Sequence, residues 1–134
     1  MLRKIDHIGI AVHSIEEVKS FFLRIFNLNP VFEESVEDQK VKVIGYKIGD
    51  SNIEFLEPTS SESPVAKFLE KRGQGMHHLS MEVQNLEQTL AALKSQQIQL
   101  IDEHARTGAE GKKIAFLHPK NTFGVLLELS QKVK

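Results

Sequence analysis

The 134-residue chain contains no cysteine. That excludes a disulfide framework and any thiolate metal site, so a metal here would be held by nitrogen and oxygen alone. Nor is there an excess of charge of one sign: 17 Lys and Arg stand against 18 Asp and Glu, a formal net charge of −1. This balance argues against a nucleic-acid binder that works through phosphate contacts. No apolar run approaches the length of a membrane span, and the N-terminus lacks the apolar stretch of a signal peptide. The expected compartment is therefore the cytoplasm. P-loop and Rossmann glycine patterns are missing, and no Ser-His-Asp arrangement can be read. The remaining composition, 40% apolar and 26% charged, is that of one soluble globular domain spanning residues 1–134.

What the chain does contain is a repeat. Ile5-Asp6-His7-Ile8-Gly9-Ile10-Ala11-Val12 returns as Met76-His77-His78-Leu79-Ser80-Met81-Glu82-Val83, and Asn52-Ile53-Glu54-Phe55-Leu56 returns as Leu126-Leu127-Glu128-Leu129-Ser130. His7 and Glu54 thus correspond to His78 and Glu128.

Hydrophobic periodicity gives both copies the same order of elements. Residues 5–12 and 76–83 alternate as half-buried strands, with Ile8, Ile10 and Val12, or Leu79, Met81 and Val83, turned to the core. Ser14 through Glu17 and Asn85 through Gln88 are helix starts. Ile15, Val18, Phe22 and Ile25 then form one helical stripe, ended at Asn29-Pro30, and Leu86, Leu90 and Leu93 form the other. Strand-like segments follow at 31–36, 41–48 and 52–57, and again at 98–103, 112–118 and 124–130. Each module, about 1–60 and 74–134, reads strand-helix-strand-strand-strand. Between them Ser63-Pro64 opens a short linker helix that Gly73 closes.

The histidine-bearing faces are the less apolar ones and look like the wall of a polar cleft: His7 with Gly9 and Ala11, His78 with Ser80 and Glu82. Glu54 and Glu128 stand within apolar strands, where an ionised carboxylate needs a counter-charge or a metal. Two readings compete. Taken singly, each histidine is a hydrogen-bonded structural residue and each glutamate a salt-bridge partner. Taken together, the repeat brings two His and two Glu to one axis, a ligand set for a divalent first-row ion with positions left for water or substrate. His77 points away from His78 and reads as structural, and His13 as solvated. His104 and His118 are open to substrate contact. Lys112-Lys113 and Lys71-Arg72 are solvated charges unless an anionic substrate uses them, and Gly108-Ala109-Glu110-Gly111 is a loop between strands.

The repeated module with its His and Glu positions resembles the vicinal oxygen chelate superfamily, which includes glyoxalase I, extradiol dioxygenases and bleomycin-resistance proteins. Ser63–Leu69, Gly75–His78, the stretch from Gly108 to Lys120 and Gly124–Leu129 are similar to the methylmalonyl-CoA epimerases. The resemblance implies an α+β, glyoxalase-like fold: two βαβββ modules forming a curved eight-stranded mixed sheet around a metal cleft, commonly in a homodimer. It places the metal positions on His7, Glu54, His78 and Glu128 and implies a divalent cofactor (Co2+, Zn2+, Ni2+ or Mn2+) and an acyl-CoA substrate. The implied reaction interconverts (2R)- and (2S)-methylmalonyl-CoA by C2 proton abstraction through a metal-stabilised enolate.

One departure matters. Some relatives have glutamine at the second ligand position and a further glutamate, proposed as a base, on the second strand of the first module. This chain has Glu54 at the ligand position and Val41-Lys42-Val43-Ile44-Gly45 on the strand, without a carboxylate. The expectation is therefore that Glu54 and Glu128, paired by the repeat, carry the proton on opposite faces. The alternatives are a glyoxalase I-type lyase acting on a glutathione hemithioacetal, and a non-catalytic small-molecule-binding protein of the same fold.

Overall fold

The alternating stretch near the N-terminus forms a strand, β1 (Leu2–Ala11), in the computed structural model, which describes residues 1–133. Helix α1 (Ile15–Phe26) follows, its first turn capped by Ser14 Oγ, which accepts from the Glu17 N–H at 3.3 Å. The helix ends four residues before Pro30. Asn27 turns left-handed (φ 52°), and its N–H and that of Leu28 close back on Leu23 and Phe22. Asparagine tolerates that conformation, so the chain leaves the helix before proline compels it.

Next come β2 (Phe32–Val36), β3 (Val41–Ile48) and β4 (Ser51–Pro58), in antiparallel pairs joined by tight connections. Ser63 caps α2 (Pro64–Arg72) through the Val65 N–H, and Gly73 ends it at φ 75°. The order then repeats as β5 (Gly75–Val83), α3 (Leu86–Ser95), β6 (Arg106–Thr107), β7 (Lys113–Leu117) and β8 (Leu127–Gln131). Asn85 caps α3 by accepting from the Gln88 N–H at 3.0 Å. The eight strands form one mixed sheet in the order β2-β3-β4-β1-β5-β8-β7-β6, with β5 and β8 parallel.

The chain divides into two units, residues 8–77 and residues 1–7 with 78 onward, so β1 contributes to both. In the unit of residues 8–77, α1 lays Ile15, Val18 and Phe22 on Val12, Ile44, Tyr46 and Phe55. The Phe22 ring stacks on Tyr46 with centroids 4.3 Å apart. In the other unit, Leu86, Leu90 and Leu93 of α3 cover Val83, Ala115, Leu117 and Leu129. These contacts are the two helical stripes read from the sequence, apart from Ile25, which is exposed near the end of α1.

The segment 98–103 does not form the expected strand. It touches β7 through a single bridge, Leu100 to Leu117. The N–H groups of Ile101 and Asp102 both reach the Phe116 carbonyl, and the Asp102 carboxylate accepts the Phe116 N–H at 2.9 Å. A side chain takes the bond a ladder would use. The edge strand β6 is only two residues long and lies further on.

A second difference concerns which faces are inside. His78, Ser80 and Glu82 are buried, whereas Leu79 and Met81 of the opposite face are half-exposed. In β1, His7 is buried while Ile8 and Ile10 are half-exposed. The polar faces are enclosed surfaces, not open walls.

Candidate metal centre

Strand alternation and register put a row of polar side chains on one side of the sheet. In the parallel pair β5/β8, Ser80 stands beside Glu128 and Glu82 beside Ser130, on the face opposite the α3 core. Phe116 of β7 is the register partner of Glu128, and its ring meets His78 edge-on, 5.5 Å between centroids. His7 of β1 completes the cluster.

Three of the four sequence-predicted ligands meet in this unit. The Nε2 atoms of His7 and His78 lie 2.9 Å apart, the rings almost perpendicular at 89°. Glu128 places Oε2 3.3 Å from the His7 Nε2 and Oε1 3.9 Å from that of His78. All three side chains are buried, and their donor atoms lie within 4.8 Å of one another.

The electrostatics favour a cation. Burial pushes the Glu128 carboxyl above its ordinary range, with His7 pulling the other way. Among the described residues, nothing donates a hydrogen bond to its Oε2. His7 is held from behind: its Nδ1 faces Asp6 Oδ2 at 2.7 Å. Burial opposes the Asp6 charge, but hydrogen bonds and charge from His7 and Lys112 outweigh it and hold that carboxyl at about 2. An ionised carboxylate only accepts, so the His7 Nδ1 carries a proton, and metal binding would use the lone pair on Nε2. A lone pair aimed at a second imidazole nitrogen and at a carboxylate oxygen short of hydrogen bonds is a donor set that fits a divalent ion.

Glu54 belongs to the other unit. It is 3% exposed in β4, on the face opposite the Phe55 core, and its register partner is Gly45. A Cβ on Gly45 would lie 2.2 Å from the Phe32 ring, which occupies the space that a side chain would take. The equivalent position beside Glu128 carries Phe116. The two glutamates therefore have different aromatic neighbours, one from the paired strand and one from the strand beyond it. The carboxylates just before β3 are Glu37 and Asp38, both exposed in the 3-10 turn that leads into it.

The remaining candidates separate clearly. His77 packs against Phe68, 5.0 Å between ring centroids, and burial lowers its pKa to about 4, as befits a neutral structural ring. His13 and His104 are exposed. His118 accepts the Lys120 N–H on Nδ1 and caps a 3-10 turn (Pro119–Asn121). Lys112 is not a solvated charge: its Nζ lies 3.0 Å from both Asp6 oxygens. Sequence reasoning missed Asp6 and Lys112. An acid beside a candidate ligand was a usable signal for Asp6. Lys112 offered none, because 106 residues separate it from its partner.

Comparison with known proteins gives the family. Residues 6–116 match the family model described as glyoxalase/bleomycin resistance protein/dioxygenase superfamily. The chain belongs to that superfamily. Within it, the chain is 46% identical over 130 residues to the uncharacterised protein YqjC of Bacillus subtilis, covering 97% of this chain and 93% of that one. It is 32% identical over 133 residues to the ethylmalonyl-CoA/methylmalonyl-CoA epimerase of Cereibacter sphaeroides, covering 98% and 99%. Among solved structures, a variant of the Streptomyces coelicolor methylmalonyl-CoA epimerase in complex with 2-nitronate-propionyl-CoA is 33% identical. It superposes with a TM-score of 0.95, covering 99% of this chain and 96% of that one. The glyoxalase-like fold implied by the resemblance is thus the fold of the chain. No helix among the described residues is long and apolar enough to cross a membrane.

Proposed function

We propose that this chain is a divalent-metal-dependent methylmalonyl-CoA epimerase, with His7, His78, Glu128 and Glu54 as the ligand positions. The observation that carries the reading is the convergence of His7 Nε2, His78 Nε2 and the Glu128 carboxylate in a buried cluster. The epimerases among its relatives supply the reaction class. Glu54 enters as the repeat partner of Glu128 and as a carboxylate buried on an apolar strand.

The C2 proton lies between a thioester and a carboxylate, and its removal leaves negative charge on the thioester oxygen. A divalent ion bound by these residues supplies the positive charge that lowers the cost of that enolate. Glu128 takes the proton on one face and Glu54 returns one on the other, each alternating between carboxylate and carboxylic acid. Burial of the cluster limits water near the enolate. Arg3, Lys113 and Lys132 rim a cleft of about 630 Å³ with Glu82 and Gln131, and offer cations for an anionic acyl-CoA. The same reading takes the protein to be a cytoplasmic homodimer, which sedimentation and cell fractionation check.

The deciding experiment is an epimerase assay with C2 deuterium exchange, run with Co2+, Ni2+, Zn2+ and Mn2+. Metal-loaded protein that binds methylmalonyl-CoA without exchanging C2 would overturn the assignment, and turnover of a glutathione hemithioacetal instead would reassign the site to lyase chemistry. Glu128→Gln, Glu54→Gln and Glu37→Gln then locate the proton carriers. Full epimerisation in Glu54→Gln with its loss in Glu37→Gln would move the second role to the turn before β3.

A further inference from the structure

The loop that reads Gly108-Ala109-Glu110-Gly111-Lys112 takes no part in the proposed chemistry, yet it is built with some strain. Glu110 stands in the left-handed region (φ 61°, ψ 22°) and Gly111 follows at φ 70°. Left-handed backbone is costly for a residue with a Cβ and tends to survive where surrounding structure demands it. Here the Gly108 N–H bonds the Lys112 carbonyl at 2.8 Å, and the Lys112 N–H returns to Ala109. Gly108 packs tightly on Ile114, so the loop is also pressed against β7. The result of this geometry is the position of one side chain. Lys112 is led inward, its side chain 14% exposed, and spans both oxygens of Asp6 at 3.0 Å.

We infer that Lys112 is a positioning residue for the metal centre, acting through Asp6 to hold His7 as the Nδ1–H tautomer with its Nε2 lone pair presented to the metal. The inference rests on the reading of His7 as a ligand. A buried carboxylate without a counter-charge would be costly, and would recover that cost by turning toward water. That turn ends its service as an acceptor for the His7 Nδ1–H. With Lys112 bidentate on its far side, Asp6 remains an acceptor and its Oδ2 stays 2.7 Å from His7. Glu110, 3.4 Å from the Lys112 Nζ, holds the ammonium group from its exposed side.

The repeat itself points to this role. The residue preceding His78, equivalent to Asp6, is His77, whose ring is packed on Phe68. The pseudo-symmetric histidines are thus unlike: only His7 has an anionic neighbour beside it in sequence, and only that neighbour is bridged by a lysine.

The test measures metal binding and ring tautomer in the absence of substrate, so it stands apart from whether the protein is an epimerase. Wild type, Lys112→Met, Lys112→Arg and Asp6→Asn are titrated with Co2+ by absorbance and calorimetry. The His7 tautomer of the metal-free proteins is read from ring 15N shifts. Lys112→Met and Asp6→Asn are each expected to lower Co2+ affinity about 10- to 100-fold. They should also shift His7 away from the Nδ1–H form, and Lys112→Arg should recover most of the affinity. A merely structural lysine would lower thermal stability and leave the tautomer alone. Co2+ affinity within about twofold of wild type in folded Lys112→Met, or an unchanged tautomer there, would overturn the inference. Should Lys112→Met fail to fold, the tautomer and affinity of Asp6→Asn and Lys112→Arg decide it. Wild-type protein that binds no Co2+ at all would instead remove the underlying assignment of His7 as a ligand.

Discussion

His7 and His78 are separated by 71 residues, yet their Nε2 atoms face one another at 2.9 Å. They occupy the same position in two copies of one module, and neither copy holds the pair alone. The first prediction is that the pair acts as one metal-binding element. His7→Ala, His78→Ala and Glu128→Ala should each reduce bound metal to well below one equivalent in elemental analysis. Any that keeps a full equivalent is not a ligand.

Metal removal should be visible as lost stability. Ligand bound only to the folded state stabilises it by about 2.7 kcal/mol at a hundredfold excess over Kd. For a domain of this size that is roughly 10 °C in Tm. Differential scanning of protein stripped with a chelator and reloaded with Co2+ measures it. The response should disappear in His78→Ala. A shift preserved in that variant would place the ion elsewhere.

Tyr46 is the only tyrosine, fully buried, with a hydroxyl that has no hydrogen-bond partner among the described residues. Burial raises its pKa above the usual 10. The folded chain therefore holds the phenolic proton at pH values where the unfolded chain has released it. This contribution to stability is complete below pH 10 and is lost as pH rises through the folded pKa. Tyr46→Phe should abolish that slope and, by removing an unsatisfied hydroxyl, stabilise the protein by about 1 kcal/mol in urea titration. A loss of stability on this substitution would show that the hydroxyl has a partner.

Gly45 lies under the Phe32 ring, where a Cβ would come within 2.2 Å of Cε1. Gly45→Ala should cost about 1–3 kcal/mol through overpacking. Phe32→Leu in the same chain should recover part of it, which a double-mutant cycle quantifies. Additive effects of the two changes would mean that the ring already avoids the site.

The residues explain how much of this could be read in advance. Ser14, Ser63 and Asn85 cap the three helices where the pattern placed them, because capping is decided within four residues. The stripes of α1 and α3 pack as their spacing predicted, except that Ile25, in the last turn of α1, is left exposed. The segment 98–103 misled because its propensity was overruled by the Asp102 carboxylate, which took the Phe116 N–H.

By itself the sequence determined the module, its duplication, the caps and the identity of the histidines and glutamates, all properties of local pattern. Tertiary structure alone decided that the polar faces are enclosed, that nothing among the described residues donates a hydrogen bond to the Glu128 Oε2, and that Lys112 meets Asp6 from across the chain. It also decided that the two histidines are not equivalent. Strand register and a left-handed turn at Glu110 set those distances, and neither is carried by residue type at any single position.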